Sequence, residues 1–431
     1  MNAAPKSFSL FLLLWAGQLL SRIGSGVSAF TLGIYLFQQS RSTSIYAFLL
    51  LCAFLPSVLL APLGGILADR KDRKLLMIVG DLGSASGVLF IIVMFLLFPD
   101  NHWPVYAGVA VSSLFVALHS PAFKASVSDI LDEQAYSKAS GLLQLAEASR
   151  YVVSPIIAGY LFTQFSLTGA LVIDLTTFVV AALTVISIKN ETVQQAPKDR
   201  QEDILEDFID GLRSIVREKI LSHLLCLTTI VTFLTGILQV LFVPLLLALT
   251  DAATLGTVQT ISASGMLVSS LCIATISKSD SQDRILPLSL GAAGLFYILI
   301  GTSTNHLLFA AAAFCFFFTL PFVNTSLEVQ FRLHIVPEMQ GRIWSLISLI
   351  SQVGMLVALS ITGLLADHVF NPFLTDHSHL AETVGTIIGT GPARGSGLMV
   401  IISGFALVLC SLFTANRSRK FHGRNFSTVQ N

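Results

Sequence analysis

Long apolar runs separated by short polar clusters set the rhythm of this chain. A bilayer-crossing helix needs about 20 mostly apolar residues. On that measure, spans fall at roughly 8–37, 45–68, 75–98, 103–123, 141–165 and 168–188. A polar stretch from Lys189 to Lys219 then interrupts the pattern. Six more spans follow at 221–249, 254–276, 285–303, 306–326, 340–366 and 397–415. The first, seventh and eleventh are long enough to tilt or break. The expected architecture is an all-α membrane protein of twelve transmembrane helices in two six-helix bundles.

Composition agrees with that pattern. Of 431 residues, 54% are hydrophobic and 12% charged, against about 25% charged in soluble domains. Mean hydropathy is +0.78. Net charge is zero, so no nucleic-acid partner is expected. The five cysteines lie in apolar runs without metal-ligand spacing and read as small membrane residues. The first apolar run is too long for a cleavable signal.

Basic residues give an independent test of the count. With both termini placed in the cytoplasm, 21 of the 25 lysines and arginines fall on the cytoplasmic side. Arg41 and Arg394 fall outside, and Arg22 and Arg150 within spans. One missed helix would invert every later loop and scramble this partition. The expected domains are an N-terminal bundle (1–188), a cytoplasmic linker (189–219), a C-terminal bundle (220–416) and a basic tail (417–431). Within the linker, Asp203 to Lys219 places Ile204, Phe208, Leu212, Ile215 and Val216 at helical spacing, as an amphipathic helix lying on the membrane would. The halves also echo each other: Ile130-Leu-Asp-Glu-Gln and Ala158-Gly-Tyr-Leu correspond to Ile335-Val-Pro-Glu-Met and Thr362-Gly-Leu-Leu, offset by about 204 residues.

Between spans two and three stands Gly65-Ile-Leu-Ala-Asp69-Arg70-Lys71-Asp72-Arg73-Lys74. This resembles the signature loop of the major facilitator superfamily. Gly65 is expected to let span two approach a neighbour closely, and Asp69 to accept hydrogen bonds from an adjacent helix N-terminus. Arg70 and Arg73 are expected to pair with acidic groups at the cytoplasmic face, forming a gating latch. Asp81, two turns into span three, reads as a structural partner for one of them. The equivalent loop of the second half, Ser277–Arg284, keeps charges but lacks the glycine.

Ser154-Pro155-Ile-Ile-Ala158-Gly159 in span five is similar to the superfamily's antiporter segment, with Ser154 and Ala158 in place of two glycines. The phrases Phe11–Val27 and Val172–Phe178 resemble the macrolide-efflux and siderophore-exporter branch. That resemblance implies a secondary transporter exporting an amphipathic drug or metabolite by proton antiport from the bacterial cytoplasmic membrane. Alternatives are a dedicated siderophore or peptide exporter, an importer, and a non-transporting receptor on the same scaffold. The partners implied are a small amphipathic substrate, protons and the bilayer, with the monomer as the working unit. No cofactor or metal is called for, and without a P-loop no ATP hydrolysis or other enzymatic activity is expected.

A charge at the bilayer centre costs at least about 2.5–3.5 kcal/mol. Five deep charges stand out, all in the first half: Arg22, Asp81, Glu147, Arg150 and Asp174. Glu147 and Arg150, three apart, share a helix face. A carboxylate flanked by Arg22 and Arg150 suits either proton exchange on separation from them or a permanent ion pair between spans one and five. Asp174 and His119 read first as packing residues. The phenylalanine cluster of span ten (Phe314, Phe316–Phe318, Phe322) faces lipid or neighbouring helices, with a minority left to line a cavity. Residues 367–396 read as an outer loop; Asp376, His377, His379 and Glu382 lie there without metal-site spacing.

Overall fold

The computed structural model describes residues 8–99, 101–132, 135–164, 167–188, 212–275, 282–335, 340–375 and 393–428. They are almost wholly helical. The first half runs α1 (Phe8–Ser40), α2 (Thr43–Arg70), α3 (Arg73–Leu97), α4 (Trp103–Ile130), α5 (Tyr136–Val152), α6 (Ser154–Gln164) and α7 (Leu167–Ile186). The second runs α8 (Lys219–Leu247), α9 (Ala252–Thr275), α10 (Gln282–Thr302), α11 (His306–His334), α12 (Gln340–Leu365), α13 (Asn371–Thr375) and α14 (Arg394–Thr428). Among the described residues eleven helices are long and apolar enough to cross a membrane. The twelfth crossing is α5 followed by α6, a single span divided at Val153. Pro155 causes the division, because it cannot donate a backbone hydrogen bond into the preceding turn.

The outward faces explain the composition. Leu59, Leu96, Leu271 and Leu288 are 64–74% exposed, a display that only lipid covers favourably. The protein is an all-α, multi-pass membrane protein.

Two helices run further than apolarity suggests. Span four was expected to end near residue 123 and span ten near 326, yet α4 continues to Ile130 and α11 to His334. A hydropathy window stops at Lys124 and Glu328, whereas helical hydrogen bonding does not. Span eleven likewise continues past its expected end through a π turn, Ala366–Phe370, into α13. The outer loop was expected to run to residue 396, yet α14 begins at Arg394, and there Gly397 packs against the Gly301 carbonyl. Residues 376–392, with the acidic and histidine group, lie outside the described residues, as does most of the linker; residues 212–217 are helical, with Ile215 buried.

The chain divides into two compact units. One comprises Met1–Gln201 with Asp251–Thr260, the other Glu202–Thr250 with Ile261–Asn431. In the second, Tyr297 is fully buried, donates to the Leu234 carbonyl and meets Phe316 edge-on at 5.0 Å. Phe309 and Phe316 are likewise 1% exposed, so this part of the phenylalanine cluster is packing core.

In the first unit small residues let backbones approach, as membrane helices require. Gly17 and Gly24 of α1 meet Thr184 and Thr177 of α7. Ser84 and Ser112 exchange hydroxyl-to-carbonyl hydrogen bonds between α3 and α4, at 3.2 and 2.7 Å. The close approach of α2 falls at Gly64 and not, as expected, at Gly65. A Cβ at Gly64 would stand 3.1 Å from the Ala117 carbonyl carbon and 3.3 Å from Pro121, whereas one at Gly65 meets nothing within 4 Å. Neighbouring positions on a helix point about 100° apart, so the motif's position did not decide which glycine packs. Gly64→Val should therefore lower the stability of the purified protein by about 1–3 kcal/mol. Gly65→Ala should leave it unchanged or raise it by up to about 1 kcal/mol, both read from thermal unfolding in detergent.

Candidate functional site

Helix α1 carries Gln18, Arg22 and Ser25 at spacings of four and three, which aligns them on one face. Each meets a carboxylate from a different helix. Gln18 donates to Asp81 of α3 at 3.2 Å. Arg22 forms an ion pair with Glu147 of α5. Ser25 donates to Asp174 of α7 at 3.1 Å. Asp81 and Asp174 are 3% and 2% exposed, while the Glu147 side chain is 44% exposed. One stripe on one helix therefore holds three membrane carboxylates, and Glu147 is the one open to exchange.

Arg150 does not flank Glu147 from the other side, as its spacing suggested. Its side chain passes over Gly26 of α1, and its charge acts on Asp174 instead. Among the described residues it has no ion-pair partner. Sharing a helix face with Glu147 gave it the right side of α5; the gap over Gly26 set its direction.

Arg73 pairs with an acidic group, as expected, but that group is Asp129 and not Asp81. Its guanidinium contacts both oxygens of Asp129 on α4, at 2.8 and 2.9 Å. It also donates to the carbonyls of Ala68 and Ala125, at 3.2 Å each. Ala68 lies in the last turn of α2, where the helix dipole favours a cation. Lys74 does the same for Ile186 and Ile188 at the end of α7. Asp81 pairs with neither Arg70 nor Arg73: it lies two turns deeper, facing Gln18 and His119. Arg70 is exposed and has no ion-pair partner among the described residues. The side chain of Asp69 lies outside the described residues. The helix-capping role expected of it is filled by Asp72, which accepts from the amides of Lys74 and Leu75 at 2.8 and 3.3 Å. Asp129, absent from the sequence-based candidates, sits in the part of α4 that the hydropathy window cut off.

A twelve-crossing helical protein with this loop motif has close relatives in one large family. A family model of the Major Facilitator Superfamily matches residues 14–359. The chain belongs to the Major Facilitator Superfamily. Macrolide efflux protein A of Streptococcus pyogenes is 27% identical over 378 residues, covering 83% of this chain and 90% of that protein. The protein of the same name from Enterococcus faecalis is 25% identical over 323 residues, covering 72% and 97%. The crystal structure of the nucleoside transporter NupG matches the fold with a TM-score of 0.74 at 12% identity, covering 94% of this chain and 99% of that one. As a member of the Major Facilitator Superfamily, the chain is a transport protein.

The two departures from the superfamily's antiporter segment have structural counterparts. Ser154, fully buried, donates to the Ile23 carbonyl of α1 at 2.9 Å. Ala158, fully buried, packs with Val27 and Ala170. Gly159 keeps the glycine role: a Cβ there would stand 2.9 Å from the Ala252 carbonyl, within the same unit. At the break itself the Val152 carbonyl accepts from Thr260, also in that unit, at 2.7 Å.

The largely buried Arg73–Asp129 pair, its side chains 12% and 11% exposed, makes a prediction. Removing one member leaves the other charge uncompensated, which costs about 3–5 kcal/mol. Asp129→Ala and Arg73→Ala should each destabilise the protein by that order in thermal unfolding. The double variant should lose much less than the sum, as a double-mutant cycle would read.

Proposed function

We propose that this protein exports an amphipathic compound across the cytoplasmic membrane by proton antiport and alternating access. The observation that carries the reading is the Arg22–Glu147 pair. It joins α1 to α5 through a carboxylate that is half exposed while its neighbours on the stripe are sealed. A helix shift or a substrate charge that engages Arg22 parts the two, and Glu147 is then free to take a proton in place of the guanidinium. Proton binding and substrate binding then exclude each other at one place, which is the thermodynamic content of antiport.

Export as the direction is supported by the efflux proteins among the relatives and by Pro155 and Gly159 in the broken fifth span. The orientation, with both termini in the cytoplasm, rests on the distribution of lysine and arginine. A second reading is export of an anionic metabolite. Arg150 favours it, because among the described residues its guanidinium has no ion-pair partner and can meet a carboxylate or phosphate on the substrate.

Everted vesicles expressing Glu147→Gln should show gradient-driven efflux of a macrolide or of ethidium reduced at least about tenfold, with protein levels unchanged. Substrate exchange in the absence of a gradient should persist. Efflux that still follows the proton gradient at wild-type rates would exclude Glu147 as the coupling group. For orientation, a periplasm-active phosphatase fused within residues 376–392 should be active and the same reporter fused after Asn431 inactive; the reverse result inverts the topology.

A further inference from the structure

We infer that Asp81 and His119 together bind and release one proton inside the first unit, as a site separate from Glu147. The inference deepens the antiport reading and rests on it for the proton's role in transport. His119 Nε2 stands 3.5 Å from Asp81 Oδ1, with the two side chains 9% and 3% exposed. The other oxygen, Oδ2, accepts from Gln18 at 3.2 Å. Among the described residues His119 Nε2 is buried without a hydrogen-bond partner. The arrangement thus leaves one carboxylate oxygen and one imidazole nitrogen facing each other at 3.5 Å.

The imidazole is fixed in place. Gly80 of α3 lies against its Cβ, at 2.5 Å from where a Cβ of its own would stand, and the Phe123 ring stacks on it at 5.8 Å. A buried carboxylate and a buried imidazole without solvent carry least charge when they hold one proton between them. That proton sits on Oδ1 with a neutral imidazole, or on Nε2 as an imidazolium facing a carboxylate. Adding or removing it makes and breaks only an O–H or N–H bond.

The surrounding charges are few. From α1, Gln18 touches the pair and the charge of Arg22 acts on both members. Asp174, the one ionisable group of α7, is already engaged by Ser25. Helix α2 has Asp69 and Arg70 only at its end, with Tyr46 and Cys52 far up the helix. On α4 itself Asp129 is taken by Arg73, leaving Lys124 beyond the pair and Tyr106 near the other end. Arg22 is therefore the one charge shared between Glu147 and this pair. Separating Arg22 from Glu147 changes the field at Asp81 and His119 without moving either, so the two proton sites communicate through one side chain. The same two helices, α3 and α4, carry the Arg73–Asp129 pair two turns away, so proton loss here bears on the helix pair that also forms the latch.

Infrared difference spectroscopy of the purified full-length protein in nanodiscs tests this directly. Wild type should show protonated-carboxyl absorption that titrates with pH. Asp81→Asn should remove one component of it, leaving those of Glu147 and Asp174. His119→Gln should keep the Asp81 component but move its midpoint by at least about one pH unit, since the partner for the shared proton is gone. Thermal unfolding confirms that each variant is folded. Carboxyl absorption that Asp81→Asn leaves unchanged, or an Asp81 component whose midpoint His119→Gln does not move, overturns the inference. Gradient-driven ethidium efflux measured in parallel separates the two readings: wild-type vesicles without gradient dependence would sink antiport, while the Asp81 component still decides the pair.

Discussion

Hydrocarbon offers no water to a charge, so every ionisable group in the membrane must be held by another part of the chain. In the first unit this constraint is met largely by α1. Gln18, Arg22 and Ser25 reach three carboxylates on three other helices, and the backbone carbonyl of Ile23, between them, receives Ser154. Helices α3, α5, α6 and α7 are thus positioned by polar contacts to a single element. Moving α1 changes the partner of each of them together, which is what a transporter needs if binding at one place is to alter affinity at another.

Packing supplies the other half of the arrangement. Glycines and serines between α3 and α4 bring the two backbones close enough for Ser84 and Ser112 to bond across. That closeness seals Asp81 and His119 from lipid and water alike. Glu147 differs because α5 is polar along much of its length and its side chain stays half exposed. Two carboxylates of the same chemistry are thereby given different access, one sealed and one open, by helix packing alone. The second unit shows the opposite economy: Tyr297, Phe309 and Phe316 fill its interior with aromatic contacts, and its described residues include no fully buried charge.

The architecture was legible in the sequence because a bilayer imposes a length on every span and a sign on every loop. The helix ends were less legible wherever a helix outran its apolar stretch, as α4 does beyond Lys124. That hid Asp129 as the partner of Arg73 and left Asp81 as the expected partner of Arg70 or Arg73. The deep charges themselves were visible, since each is conspicuous in an apolar run, but their pairing was not. Arg150 and Glu147 share a helix face and still point to different neighbours, because Gly26 leaves room for one side chain and not the other. Gly64 and Gly65 make the same point: adjacent glycines look alike in sequence, and only the facing helix distinguishes them.

The break at Val153 has a mechanical consequence. Upstream of it, α5 is tied to α1 by the ion pair of Arg22 and Glu147; downstream, α6 is bolted to the same helix by the hydroxyl of Ser154 on the Ile23 carbonyl. One tether is ionic, and the other is a neutral hydrogen bond with no titratable member. Under the proposed antiport, span five would work as a lever with a fixed pivot, its charged arm released when Glu147 takes a proton while its other arm stays seated against α1.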